Sequence, residues 1–268
     1  MLGVFLNSII FAYLALGILY TERLGLLNIA IEGISFLAVF LTSLFIYLGY
    51  GIPVSGIITI FISLIFGFFL SLIVRNGYNI FIAGIGINIL CYFLVGVLMK
   101  ANFNFIPGFS LNVSNNFAVT FFTILFFVLL GFSIYILNYS RVRVVFEFIR
   151  SSDYENLLGE KISHYFKSFA IFMSVILASI AGSFLAVNFN FYSYNLGLNN
   201  GWLSICILHI AFANPWLVFP ISFLMVFLEY KFFNFQDYVN SYIALSLTFY
   251  MAILINIFVS IFRKTKLF

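Results

Sequence analysis

Charge is what this chain lacks. Only 7% of its 268 residues are Asp, Glu, Lys or Arg, against about a quarter in a soluble domain. Too little polar material is present to cover a water-facing surface, which excludes a soluble globular protein. The 64% hydrophobic content and a mean hydropathy of +1.18 point to an integral membrane protein. Cysteine is scarce as well. Cys91 and Cys206 both lie inside apolar runs, so no disulfide framework or metal-ligand spacing follows, and both read as small core residues. Basic residues are too few to suggest nucleic-acid binding. No Gly-x-x-x-x-Gly-Lys-[Ser/Thr] loop is present, so the chain does not bind and hydrolyse ATP through that motif. His-Glu-x-x-His and Gly-x-Ser-x-Gly are missing too. An outer-membrane barrel is the wrong architecture, because its strands alternate apolar and polar residues and these runs are apolar all round.

What is there is a series of long uncharged intervals: Glu32 to Arg75, Arg75 to Lys100, Lys100 to Arg141, Lys167 to Glu229, and Asp237 to Arg263. Each exceeds the roughly 20 residues a helix needs to cross hydrocarbon. Candidate spans are Leu2–Tyr20, Leu26–Leu48, Val54–Val74, Ile80–Met99, Phe117–Leu137, Phe169–Val187 and Tyr242–Phe262, with a shorter pair, Leu203–Ala213 and Trp216–Leu228, broken at Asn214-Pro215. The expectation is a single all-α membrane domain over 1–268, of eight or nine segments including a short or re-entrant pair near 203–228. Met1 to Tyr20 has no basic start, and Thr21-Glu22-Arg23 is a poor cleavage site, so it reads as the first mature span rather than a signal peptide. The 39 phenylalanines have no regular period and read as lipid-facing and packing bulk.

The loop over 140–167 carries Arg141, Arg143, Arg150, Lys161 and Lys167, which makes it cytoplasmic by the positive-inside rule. Arg263, Lys264 and Lys266 place the C-terminus on the same side. Parity then puts Arg75 and Glu22-Arg23 inside, the N-terminus outside, and the 203–228 pair entering and leaving on the outer side. Ala101–Asn116 is polar but uncharged.

One charged phrase interrupts the first apolar stretch, Glu22-Arg23-Leu24-Gly25-Leu26-Leu27-Asn28-Ile29-Ala30-Ile31-Glu32-Gly33. A carboxylate at a membrane-helix centre costs roughly 2.5–3.5 kcal/mol on insertion scales, so it is either hidden against a partner or in use. Asn28 and Glu32 are four apart, and on one helix they share a face. A polar patch gluing two helices competes with a translocation or gating site. Asn88, mid-span between glycines, offers the same choice. His209 reads as a packed neutral histidine or a substrate contact, and Ala178 with Gly182 as a helix-packing face. Glu229 and Asp237 flank an expected loop with Lys231 and read as solvated, and Trp202 as an interfacial anchor.

The run from Gly17 to Gly33 resembles the signature of the ABC importer permeases of the branched-chain amino acid, simple-sugar and nucleoside group. It is most similar to the shorter permease of purine-nucleoside-type systems, whose Glu-Arg-x-Gly-x-x-Asn-x-x-x-Glu-Gly phrase follows the first span. Gly84-Ile85-Gly86-Ile87-Asn88, Ala178-Ser179-Ile180-Ala181-Gly182-Ser183, and Gly201-Trp202 with Asn214-Pro215 resemble later family pieces in the same order. The resemblance implies a permease half that pairs with a second homologous permease, an ATPase subunit holding ATP and Mg, and an extracytoplasmic substrate-binding lipoprotein. This chain itself would carry no cofactor and sit multi-pass in the inner membrane. The implied cargo is nucleosides, with ribose-like sugars as the close alternative. The resemblance also implies a coupling helix for the ATPase in the cytoplasmic loop, at Arg150, Ser151, Ser152, Asp153, Leu157, Leu158 and Gly159. There the family's Gly and Pro are replaced. Ser151 or Ser152 could cap a helix whose first turn holds Asp153 and Glu155, with Leu157 and Leu158 as an apolar knob. A different class, an ion-coupled secondary transporter using Glu32, stays open from the residues alone.

Overall fold

A computed structural model describes residues 1–103, 108–111, 116–151, 159–233, 250–251 and 253–257. The chain is a helical bundle: α1 (Leu2–Glu22), α2 (Ile31–Tyr47), α3 (Ile52–Arg75), α4 (Ile80–Phe103), β1 (Gly108–Ser110), α5 (Asn116–Ile134), α6 (Arg141–Arg150), α7 (Glu160–Phe189), β2 (Phe191–Ser193), α8 (Asn200–Ile210) and α9 (Pro215–Phe233). Six of these helices are long and apolar enough to cross a membrane, and α2 and α8 are shorter apolar helices. Successive segments alternate in direction. One end of the bundle, called the basic end below, therefore gathers Arg23, Arg75 and Arg150.

The centre is α1 packed on α7, both largely buried. The contacts around that pair are reciprocal. α7 packs on α2 and α3, and α1 packs on α8 and α9. Each set has a long buried helix, a short broken helix and a return helix, and the two sets run in opposite directions, the arrangement of an inverted repeat. Helices α3, α4 and α5 form the periphery, where Phe61, Phe68, Ile82, Phe93, Phe121 and Ile124 point outward, as lipid-facing bulk should. Inside, small and hydroxyl residues set the spacing. A Cβ at Gly182 would lie 2.7 Å from Ala38 Cβ and 3.0 Å from Val39 N, so α2 and α7 meet there backbone to backbone. The Thr42 hydroxyl lies 2.8 Å from Ser183 Oγ on α7 and 3.1 Å from Thr59 Oγ1 on α3. Such interhelical bonds average about 0.6 kcal/mol in membranes. At the end away from the arginines, β1 and β2 pair antiparallel with Gly108 opposite Ser193, over the buried ring of Tyr192, which packs against Phe40 and Phe109.

Several expectations need correction. The second span does not begin at Leu26: residues 26–30 are non-helical and α2 starts at Ile31. The arm after Asn214-Pro215 is not short, because α9 continues through Glu229 and Lys231 to Phe233. Glu229 and Lys231 are therefore helical rather than at a loop, and Asp237 lies outside the described residues. Glu229 is partly buried at the end opposite the basic one, and Lys231 Nζ lies 5.5 Å from the Phe227 ring centre. In the cytoplasmic loop the described helix is α6, upstream of the expected one. Ser140 caps it, its hydroxyl accepting from the Val142 N–H at 3.1 Å, while Ser151 closes it. Ser152, Asp153, Leu157 and Leu158 lie outside the described residues, as does most of Tyr242–Phe262.

Candidate functional site: a carboxylate between two broken helices

The charged phrase folds the way it does for local reasons. Gly25 has φ +74°. Its N–H donates to Glu22 O at 2.9 Å and the Leu26 N–H donates to Thr21 O at 3.0 Å, the paired bonds of a Schellman stop that glycine at this position favours. Glu-Arg-Leu-Gly is thus a helix terminator. The chain then turns back non-helically, and backbone groups freed inside a bilayer must find partners within the protein. Two amides supply them. Asn28 Oδ1 accepts from the Ala30 N–H at 3.1 Å, and its Nδ2 donates to Ser174 Oγ on α7 at 3.0 Å. Asn88 on α4 donates from Nδ2 to Ile29 O at 3.1 Å and accepts at Oδ1 from the Gly33 N–H at 2.7 Å. Asn28 therefore shares no helix face with Glu32. It precedes the helix and braces its entry.

The partner break lies between β2 and α8, where Asn199 takes φ +69°. The N-termini of α2 and α8 meet at Glu32. Its Oε1 accepts from the Asn199 N–H at 2.6 Å and from the Tyr92 hydroxyl at 3.0 Å, and its Oε2 accepts from the Gly201 N–H at 2.5 Å. The first N–H groups of a helix have no intrahelical partner and carry the positive end of its dipole. One carboxylate here satisfies α8 while sitting in the first turn of α2. A Cβ at Gly201 would lie 2.7 Å from Oε2 and 2.8 Å from Glu32 Cα, so only glycine admits this approach. Given a rise of 1.5 Å per residue, α2 extends about 25 Å from this joint and α8 about 16 Å in the opposite direction. Glu32 is thus deep in the bundle, and Trp202, one residue further into α8, lies beside it rather than at an end.

Asn28, Glu32 and Asn88 are all buried. A groove of about 440 Å3 beside them is lined by Tyr92, Phe93, Gly96, Val97, Lys100 and Tyr194. Tyr92 joins the two, with its hydroxyl on Glu32 and its ring edge-on to Phe36. A larger cavity of about 490 Å3 at the end away from the arginines includes Asn7, Asn195, Asn200 and Glu229. None of the three expected residues lines either space. Glu22, Arg23 and Gly25 stand at the basic end with Arg150, which approaches to 3.6 Å from a Cβ placed on Gly25. His209 reaches the same region. Gly159 has φ +78° just before α7, and Ala178 is buried in α7. Sequence reasoning missed Tyr92, Ser174 and Asn199. Tyr92 carried one usable signal, since it lies four residues after Asn88 and so on the same face of α4.

Comparison with curated proteins and with solved structures finds no match. Residues 1–259 match the family described as branched-chain amino acid transport system / permease component. Coverage is nearly complete, so the chain belongs to that family of ABC transporter permeases, multi-pass proteins of the inner membrane.

Proposed function

We propose that this permease imports nucleosides by alternating access, with ATP hydrolysed on a separate subunit and cargo delivered by an extracytoplasmic binding lipoprotein. The observation that carries this reading is the Glu32 joint. It fastens two oppositely directed broken helices at mid-depth, beside a groove whose walls include Tyr92, Phe93 and Tyr194. Aromatic faces suit a planar base better than a bare sugar or a zwitterionic amino acid. Asn28 and Asn88 act at the path indirectly, by tying the break to α7 and α4. The chain works as a single domain paired with a second permease. Its cytoplasmic loop, from α6 through Arg150, Ser151, Ser152, Asp153, Leu157, Leu158 and Gly159, docks on the ATPase, and the chain itself holds no cofactor.

The test is uptake of labelled purine and pyrimidine nucleosides, ribose and leucine in cells carrying the permease with its ATPase. The expected result is nucleoside uptake that disappears when the ATPase is inactivated and survives collapse of the proton gradient. Tyr92→Ala should lower it more than Tyr92→Phe. Uptake that ignores the ATPase but follows the gradient would establish an ion-coupled carrier instead. The three donors on Glu32 argue against that outcome, because a cycling proton would have to displace them in every turn.

A further inference from the structure

The stop after α1, the end of α6 and the connection from α8 to α9 meet at the basic end around a polar cleft of about 90 Å3. Glu22, Arg23, Arg150, His209, Phe212 and Ala213 line it. Among the described residues, neither Arg23 nor Arg150 makes an ion pair. The ion pair between described residues is Arg143–Glu147, on the exposed surface of α6. Arg23 makes one long bond, from Nη2 to Asn138 Oδ1 at 3.5 Å, and its Nε–H is buried without an acceptor. Burial and the charge of Arg143, countered by Glu147 and reinforced by Arg150, hold the Arg23 guanidinium below its ordinary range. The turn that completes the wall is itself held in an unusual backbone conformation, with Phe212 at φ +54° and Ala213 at φ +50°. Consecutive left-handed residues other than glycine persist only where the surroundings impose them.

We propose that this cleft binds a phosphate-type oxyanion at the cytoplasmic face. Two guanidinium forks match phosphate oxygens in a way a single point charge does not, and His209 adds a ring donor. The volume admits one phosphoryl group and excludes the base and sugar of a nucleotide. Glu22 sets how finely the site is balanced. Two arginines against one carboxylate leave a net charge of +1 with the histidine neutral, so losing either arginine cancels that net charge and weakens the attraction. Two sources share this chemistry, the headgroup of an anionic phospholipid and free phosphate. The cleft opens where α1 leaves the membrane, at headgroup level.

The full chain, purified in detergent and stripped of lipid, is titrated with phosphatidylglycerol, phosphatidylcholine or inorganic phosphate while its thermal midpoint is followed. A rise with phosphatidylglycerol and not phosphatidylcholine identifies the lipid source, and a rise with inorganic phosphate identifies the free anion. In either case Arg150→Gln should weaken the response about tenfold, Glu22→Gln should strengthen it, and Arg75→Gln, at the same end but outside the cleft, should leave it unchanged. Arg150 is the residue to vary because it ends a surface helix, whereas Arg23 closes a buried one. No response to either anion, equal responses to both lipids, or an equal loss in Arg75→Gln would overturn the proposal.

Discussion

Glu32 accepts from two backbone N–H groups of α8 and from the Tyr92 hydroxyl, and alanine in its place removes the acceptor of all three, the Gly201 N–H buried and the other two partly so. Each stranded donor costs about 1–3 kcal/mol. Glu32→Ala should therefore lose about 3 kcal/mol or more, read as a large drop in thermal midpoint in detergent. Glu22→Ala, half-buried with no ion pair to another described residue, should stay within about 0.5 kcal/mol. Equal losses in the two variants would remove the joint from its central role. Gly33 makes a second test at this scale. A Cβ there would lie 2.6 Å from Asn88 Cα and 2.7 Å from its Oδ1, so Gly33→Ala must push α4 off α2 and break the bond that Asn88 gives the break. The expected cost is about 1–3 kcal/mol, measured the same way. Gly86→Ala, which meets nothing within 4 Å, is the matched control.

At the scale of elements, the α2–α7 seam is testable by chemistry. Thr42 and Ser183 place their hydroxyl oxygens 2.8 Å apart, close enough for a disulfide once both are cysteine. With Cys91 and Cys206 replaced by alanine, Thr42→Cys/Ser183→Cys should lock under mild oxidant, read as loss of maleimide labelling after denaturation, since both positions are buried in the native state. Continued labelling of both thiols would mean that α2 and α7 are not registered as described. The same seam shows what was legible in advance. Span positions could be read from charge gaps because burying charge in hydrocarbon is costly everywhere. Ala178 and Gly182 could be read as a packing face because small residues recur at four. The break before α2 could not be read, whereas the Asn199-Asn200-Gly201 turn marked the one before α8. Leu26 to Ala30 contains nothing a membrane helix forbids, and its non-helical backbone is satisfied by Asn88 on α4 and, through Asn28, by Ser174 on α7, far away in sequence. Gly25 was the one local sign, as the stop of α1. Glu229 and Lys231 misled in the other direction. Charges expected to end a helix sit within it, where Glu229 borders the larger cavity.

For the whole molecule, the arginines gathered at one end of the described spans predict that this end faces the cytoplasm, and that can be checked on intact cells. In a chain without native cysteine, a cysteine at Tyr50 or Phe109 should react with an impermeant maleimide from outside, and one at Arg141 only after permeabilisation. The reverse pattern would invert the molecule and exchange the faces assigned to cargo and motor. The two breaks of opposite direction meet at one point, where Glu32, in the first turn of α2, accepts from the break before α8 while Asn28 and Asn88 hold the break before α2. That meeting point has a mechanical consequence. Neither short helix can be displaced by itself without orphaning the carboxylate or the amides that hold it, so the two behave as the unequal arms of a lever with its fulcrum at Glu32. With arms of about 16 Å and about 25 Å, a rigid rotation about that point moves the far end of α2 about 1.5 times as far as the tip of α8.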